Sequence, residues 1–489
     1  MVRTRLAPSP TGSIHIGGMR TALYCYLWAR KNKWQYIIRI EDTDQTRLVE
    51  WAADYVLEAH KILGIMPDEG PHHDGGYGPY IQSERLSEYA PRLHELCEKG
   101  TAYYCFCTSE RLEALKVEQE ELKLPPRYDG HCRHIPLEES KERRAKWEPC
   151  VIRLKVPKAE KIIFNDLIRG KIEFNTSEVD DQVLLKSDGK FPTYHGAIVI
   201  DDYLMEITHV MRGEEWISSI PKQVLTARAL GIDLPLYAHL PNVLGADGKK
   251  LSKRTGDTAV GEYLKKWYLP SALMNFLALL GWNPKTNQEV MTLDEMIEKF
   301  EITDIHKAWA VLDPVKLDWM NSEHIKRLPI SDLHEVIAGY LKEYQSEFYE
   351  KVFSQADYEY NSKIIAELQT RMKRFEEYEE LTWVFYKDVP VNRALLIHTK
   401  MKIETESDGI EALRFLLPFL ESADFSNLDI LKSSLLSAIA HAWKKNGQIL
   451  WPLRVALSGA EFSPWAFELS YILGREESIK RIQKVIDTL

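Results

Sequence analysis

The stretch Pro8-Ser9-Pro10-Thr11-Gly12-Ser13-Ile14-His15-Ile16-Gly17-Gly18 has two prolines and a glycine that shape a rigid turn, then a glycine pair that opens a helix. The unbonded N–H groups and dipole of a helix N-terminus favour phosphate, so a nucleotide fits there. His15 stands where it can donate a hydrogen bond to phosphate oxygens. Alone, a His-x-Gly turn is a weak signal, because capped turns with a structural histidine are common. The surrounding pattern strengthens it. An apolar helix is expected from Met19 to about Lys31, followed by a β-rich run from Trp34 to Ile40. Tyr36-Ile37-Ile38-Arg39-Ile40 is nearly continuously apolar, as in a parallel strand covered on both faces. Its polar exit, Glu41-Asp42-Thr43-Asp44, therefore lies at a strand's carboxyl end, where ligands of open α/β sheets bind. The α/β pattern resumes at Ala197-Ile198-Val199-Ile200-Asp201-Asp202, so the first domain is expected to be discontinuous.

With 489 residues, the chain should form about three domains. Hydrophobic residues make up 45% and charged residues 28%, a composition that supports a sizeable core. The formal net charge is −10, which excludes a globally basic nucleic-acid binder but not a local basic groove. No apolar run approaches the roughly 20 residues that span a bilayer. The first residues show neither a signal core nor an Arg- and Ser-rich transit segment, so a cytoplasmic protein with no membrane partner is expected. Beyond about residue 260 the apolar residues recur at helical spacing, as in Ala272 to Gly281, Ile410 to Leu417, Leu435 to Trp443 and Ser478 to Ile486, with Gly281 and Gly474 as C-caps. The C-terminal half reads as all-helical.

Two further constellations carry chemistry. Ala246-Asp247-Gly248-Lys249-Lys250-Leu251-Ser252-Lys253-Arg254 is a turn followed by a cationic loop, suited to neutralising charge on a polyphosphate. Cys105-Phe106-Cys107 is followed, after 24 intervening residues, by Cys132-Arg133-His134. Three thiolates and one imidazole make a closed tetrahedral zinc site, and four protein ligands with no open position mean a structural metal. Cys25, Cys97 and Cys150 have no partner pattern and read as packed thiols.

The first two motifs resemble the HIGH and KMSKS signatures of class I aminoacyl-tRNA synthetases. Arg5-Leu6-Ala7-Pro8-Ser9-Pro10-Thr11-Gly12 with Arg39-Ile40-Glu41-Asp42-Thr43-Asp44 is similar to the bacterial-type glutamyl branch, as are Pro192-Thr193-Tyr194-His195, Asp201-Asp202 and His209-Val210-Met211-Arg212-Gly213-Glu214-Glu215-Trp216. Ordered matches run from Arg5 to Arg254, and with the helical remainder the resemblance covers essentially the whole chain.

The resemblance implies a multidomain α/β plus all-α fold. The Rossmann-like catalytic domain would occupy 1–84 and 191–247, interrupted by an inserted α+β acceptor-stem domain with the zinc site at 85–190. Stem-contact helices with the KMSKS-type loop would follow at 248–328, and a helical anticodon-binding domain at 329–489. The implied reaction is attack of the α-carboxylate of L-glutamate on the α-phosphate of ATP, carried with Mg²⁺, then acyl transfer to the terminal adenosine of tRNA(Glu), releasing AMP and diphosphate. The resemblance leaves tRNA(Gln) as a second acceptor, since some relatives of this branch charge both. By resemblance, His15 and Lys253 are catalytic. Thr11, Gly12, Gly17, Gly18, Lys250 and Ser252 join them around ATP, and Arg5, Ser9, Glu41, Tyr194 and Arg212 form the glutamate pocket through bidentate guanidinium pairing. Ile198 departs from relatives that place Asn near the substrate. The zinc set would be Cys105, Cys107, Cys132 and His134, since some relatives carry zinc at this insertion. Arg371, Lys373, Arg374, Trp443, Trp451 and Arg454 are candidates for stacking on anticodon bases, although a Trp at helical spacing more often packs in a core. A monomer is implied. Three other readings fit the sequence less well. A glutaminyl-tRNA synthetase goes with a β-barrel C-terminal half. A nucleotidyltransferase would lack the helical tail, and a non-catalytic zinc-containing RNA-binding paralogue would have lost His15 or the Lys-Leu-Ser-Lys loop.

Overall fold

Strand β1 (Arg3–Leu6) is buried along its whole length and pairs in parallel with β2 (Gln35–Ile38), Arg5 standing opposite Ile37. In this computed structural model, residues 2–249 and 259–488 are described. Chain order continues with β3 (Ala102–Cys105), β4 (Val151–Leu154), β5 (Lys161–Asp166), β6 (Gly170–Asn175), β7 (Val183–Leu185), β8 (His209–Gly213), β9 (Leu236–Leu240), β10 (Val243–Leu244) and β11 (Ala310–Val311). The main sheet has the order β2-β1-β8-β9-β5-β6, parallel throughout except for the β5–β6 hairpin at its edge. From β1 the chain crosses to β2 on one side, while β8 lies on the other. The crevice beyond the carboxyl ends of β1 and β8 is therefore the switch point of an open α/β sheet, the place where such folds bind ligands.

Helix α1 (Ile16–Lys31) begins three residues earlier than its apolar pattern indicated, because His15 caps it: the Gly18 N–H donates to His15 Nδ1 at 3.1 Å. It is buried on most of its circumference, and Arg20 and Tyr24 bond the carbonyls of Leu280 and Ala278 at 2.9 Å each. The run Ala197 to Asp202 lies within a helix, Tyr194–Leu204. That helix lies so close to β7 that a Cβ on Gly196 would stand 2.3 Å from the Leu184 carbonyl oxygen.

An antiparallel sheet, β3-β4-β7, forms between β2 and β8 and shares a core with the helices Leu86–Glu98 and Tyr194–Leu204, through Tyr89, Leu93, Ile152, Leu184 and Ala197. The β5–β6 hairpin, although it falls inside 85–190, extends the main sheet through pairing of Asp166 with Tyr237. The chain divides into two compact units, Met1–Lys265 with Pro270–Leu317, and Lys266–Leu269 with Asp318–Leu489. The second is helical, with no strand among its described residues. Capping boxes such as Thr405 with Asp408 start its helices. Gly474, at φ 77°, breaks the Ala466–Asp487 segment where a C-cap was expected, and Gly281 follows Pro270–Leu279 at φ 107°. Among the described residues, no helix is long and apolar enough to cross a membrane.

The Gly196 contact is directly testable. Because the obstacle is a backbone carbonyl, Gly196→Ala should lower stability by roughly 1–3 kcal/mol, read in calorimetry as an earlier unfolding transition.

Candidate active site

A cavity of about 550 Å³ opens at the switch point. Arg5, Ser9, Thr11, Gly12, His15, Gly17, Gly18, Glu41, Tyr194 and Arg212, all expected from the sequence, line it together. The β1 exit loop is fixed by backbone bonds: Glu41 N–H donates to the Pro8 carbonyl and Val49 N–H to that of Pro10, both at 2.9 Å. Gly12 adopts φ 137°, a conformation side chains rarely take, so the turn requires glycine there. Ile198 also lines the cavity and makes that stretch of wall apolar.

Behind the cavity lies a buried cluster of three cations and three anions. Arg5 donates through Nε and Nη2 to Asp202 at 3.2 and 3.3 Å. Arg39 Nη2 reaches Asp202 at 2.8 Å and Glu41 at 3.0 Å, and Arg85 Nε bonds Asp201 at 2.8 Å. Tyr89 and Gln82 complete the coordination of Asp201. Burial raises the Glu41 carboxyl against the opposing pull of Arg39 and Arg5. For Asp202, the Arg5 and Arg39 guanidiniums outweigh the burial that opposes them and hold its carboxyl below the ordinary range. Arg5 thus has two of its nitrogens committed to Asp202, which revises the expectation of bidentate pairing to a ligand from this residue.

Arg212 differs. It is 6% exposed and lines the cavity, yet among the described residues it makes no ion pair. Its partners are neutral: Tyr194 Oη at 3.0 Å, Gln223 Oε1 at 2.9 Å, His239 Nε2 at 3.0 Å and the Trp216 carbonyl at 3.4 Å. A buried cation without a carboxylate is costly unless an anion arrives. Sequence reasoning did not point to Gln223 and His239, which hold Arg212, or to the cavity-lining Asn242.

Elsewhere on the cavity wall, acceptance of the Gly18 N–H by His15 Nδ1 puts the imidazole proton on Nε2 in the neutral ring, making that atom the donor. His15 is also bridged to Ala259, and Val260 N–H donates to the Ile14 carbonyl at 3.0 Å. The expected turn forms, Lys249 N–H bonding Asp247 at 3.0 Å. Lys250, Ser252 and Lys253 lie outside the described residues. The described chain nevertheless approaches the cavity from both sides of them, through Val243 and Ala259.

Cys105, Cys107 and Cys132 converge, their sulfurs within 4.8 Å of one another. Cys107 and Cys132 Sγ stand 3.6 Å apart, and two thiolates on one tetrahedral zinc stand about 3.8 Å apart. The donor set fits the metal. His134, the expected fourth ligand, is exposed and outside this cluster. The oxygen that faces the thiols is the Tyr128 hydroxyl, 3.2 Å from Cys105 Sγ and 3.5 Å from Cys107 Sγ. Cys25 and Cys97 are packed thiols as expected, and burial pushes each up to about 12. Trp451 is half-buried and donates to the Leu395 carbonyl at 2.9 Å, whereas Trp443 is 95% exposed, against the core expectation.

Residues 1–319 match the family described as tRNA synthetases class I (E and Q), catalytic domain, and residues 334–486 match an anticodon binding domain. The chain is 44% identical over 492 residues to the glutamate–tRNA ligase of Clostridium botulinum (strain Eklund 17B / Type B), covering 100% of this chain and 99% of that one. Identity to the ligase of Clostridium novyi (strain NT) is also 44%, covering 100% and 98%. A crystal structure of a glutamate tRNA ligase from Elizabethkingia meningosepticum in complex with its amino acid is similar in fold, with a TM-score of 0.88 and 36% identity over 100% of this chain and 99% of that chain. The parallel sheet, its switch-point cavity and the helical second unit are those of a class I tRNA synthetase. Within that class, the chain belongs to the family of the glutamate–tRNA ligases.

Asp202 holds two guanidiniums within 3.2 Å, Arg5 and Arg39, whereas Asp201 has one that close, Arg85, with Arg39 at 3.8 Å. Asp202→Asn should destabilise the protein by roughly 3–5 kcal/mol, measured by chemical denaturation of the purified variant.

Proposed function

We propose that this protein activates L-glutamate with ATP and transfers it to tRNA(Glu). The observation that supports this reading most is Arg212, a buried cavity-lining cation held by neutral groups and thus suited to an anionic substrate. One oxygen of the glutamate α-carboxylate attacks the α-phosphorus of ATP, the bond to the β-phosphate bridge breaks, and diphosphate leaves with the bond's electron pair. A ribose hydroxyl of the tRNA terminal adenosine then attacks the acyl carbon, giving the ester and AMP. No protein nucleophile is required, so catalysis is placement and charge stabilisation. Mg²⁺ arrives with ATP as part of that substrate.

His15 Nε2 donates to phosphate oxygen, and the α1 N-terminus with Thr11, Gly12, Gly17 and Gly18 cradles the polyphosphate. Lys250, Ser252 and Lys253 join them in binding ATP, with Lys253 neutralising charge as diphosphate departs. Arg212 pairs with a substrate carboxylate, Tyr194 and Ser9 supply hydroxyls, and Arg5 offers Nη1. Glu41 supplies the negative charge an α-ammonium group needs. Residues 85–190 and 248–328 take the acceptor stem and 329–489 the anticodon, in a monomeric cytoplasmic enzyme. Cys105, Cys107 and Cys132 hold a structural zinc, with the Tyr128 hydroxyl at the fourth position. Zinc there would cross-link the end of β3 to the following turn.

Two experiments test this. Labelled glutamate should be transferred to a tRNA(Glu) transcript, with a tRNA(Gln) transcript measuring range and labelled glutamine as control. His15→Ala should lower the rate about 100- to 1,000-fold while affecting ATP binding far less. Failure of the wild-type protein to charge either transcript with glutamate would remove the reading. For the metal, elemental analysis should find stoichiometric zinc in the wild type and in His134→Ala, and depleted zinc in Cys107→Ser and Tyr128→Phe.

A further inference from the structure

We infer that Asp166 and His239 are positioning residues that fix the guanidinium of Arg212 and thereby set the cavity's preference for a carboxylate over a carboxamide; this rests on the reading of Arg212 as the glutamate-binding cation. Neither residue is in the first ring of contacts around the cavity, and neither was singled out by any sequence motif.

Three neighbouring strands each contribute one group. Arg212 on β8 is in register with His239 on β9, and Asp166 is the last residue of β5, which pairs with β9. Asp166 Oδ1 accepts the backbone N–H groups of Ile168 at 2.9 Å and Arg169 at 2.8 Å, so the turn after β5 fixes its carboxylate. Its Oδ2 lies 2.6 Å from His239 Nδ1 and also accepts the His239 backbone N–H at 3.1 Å. An ionised carboxylate only accepts, so Nδ1 carries the proton and Nε2 keeps its lone pair. That lone pair receives Arg212 Nε–H at 3.0 Å. Tyr237 packs flat on the imidazole, ring centroids 5.9 Å apart at 8°, and Arg212 lies 4.9 Å from the centroid of the same tyrosine.

The charged and titratable groups facing His239 are thus Asp166, Arg212, Tyr237 and Arg169, whose guanidinium reaches the His239 carbonyl. Burial holds the imidazole below its ordinary range, with the neighbouring guanidiniums acting in the same sense. A neutral ring suits the chain of bonds, because a proton on Nε2 would set donor against donor at Arg212.

The chemical consequence lies in what is kept out of contact with Arg212. A carboxylate touching it would neutralise it, as Asp202 does Arg5, and would repel an incoming carboxylate. The imidazole supplies a directed acceptor with no charge of its own and keeps Asp166 one ring away. Arg212 is therefore locked in place while its charge stays available. A carboxamide would bring no charge to compensate it.

Asp166→Asn tests this with little change of shape. Asn Oδ1 can still accept the turn's N–H groups, but its amide then donates to His239 Nδ1, moving the ring proton to Nε2 and against Arg212. The KM for glutamate should rise roughly 10- to 100-fold, with discrimination against glutamine falling alongside, while the KM for ATP stays within about twofold. Placing His239→Gln on the Asp166→Asn background supplies an amide oxygen that needs no carboxylate behind it, and should recover part of the glutamate affinity. In wild-type protein, ¹⁵N spectra of labelled histidine should assign the proton of His239 to Nδ1. An active wild type alongside a folded Asp166→Asn variant with unchanged glutamate KM would overturn the inference. So would a uniform loss in kcat and both KM values with a lowered melting temperature, which marks a merely structural role. A wild type that does not use glutamate overturns the functional reading beneath it and is recognised without any variant.

Discussion

The paired aspartates in the Tyr194–Leu204 helix are the charges around which the catalytic unit is assembled. Asp202 is shared by Arg5 of β1 and by Arg39, which leaves β2, and Asp201 is taken by Arg85 ahead of the Leu86–Glu98 helix. Ion pairs buried this deeply contribute little net stability over an apolar core, but each partner is expensive to leave alone. The cluster therefore acts as a registration device. Strands, exit loop and helix must meet in one arrangement for three cations and three anions to be satisfied together, and that arrangement shapes the wall of the cavity.

With that neutrality achieved behind the wall, the cavity's own electrostatics reduce to a few groups. The capped N-terminus of α1 offers backbone N–H groups and an imidazole whose tautomer is set by Gly18. Arg212 offers a full positive charge among neutral acceptors. Both favour anions, while Glu41 and Glu215 also line the cavity. A polyphosphate and a dicarboxylic amino acid are the kind of pair this polarity accommodates, and a rigid sheet keeps them at a fixed separation.

What the sequence made legible was local. The prolines, glycines and histidine before α1 announce a turn and a helix start, and both form there. β2 shows itself by its apolar run. β1 does not, because Arg-Thr-Arg-Leu reads as a solvated segment until its arginines find Glu69 and Asp202, 66 and 197 residues away. The run Ala197 to Asp202 is apolar enough for a strand or a buried helix, and only packing against β7 and Leu225 makes the helix evident. Cys-x-Cys and Cys-x-His spacing located the three thiols that converge, while the histidine of the pattern stands apart from them. Residues two apart in an irregular turn have no fixed common direction, and His134 faces solvent while Tyr128, four residues before Cys132, faces inward. Trp443 was misjudged for a similar reason: it sits just past a helix end at φ 56°, outside the periodicity that argued for burial.

The β5–β6 hairpin changes what an insertion means in this fold. Residues 85–190 were expected to form an inserted domain, yet two of their strands widen the main sheet, and the last residue of β5 carries the carboxylate that bonds His239. A segment that can vary in length without disturbing a Rossmann-like core would be attached by loops alone. This one is hydrogen-bonded into the sheet beside β9, so its geometry and that of Arg212 are linked through two strand pairings and one imidazole. The 2.6 Å contact between Asp166 and His239 is the charge-assisted link in that chain, of the short, strong kind that ties one strand's position to the next.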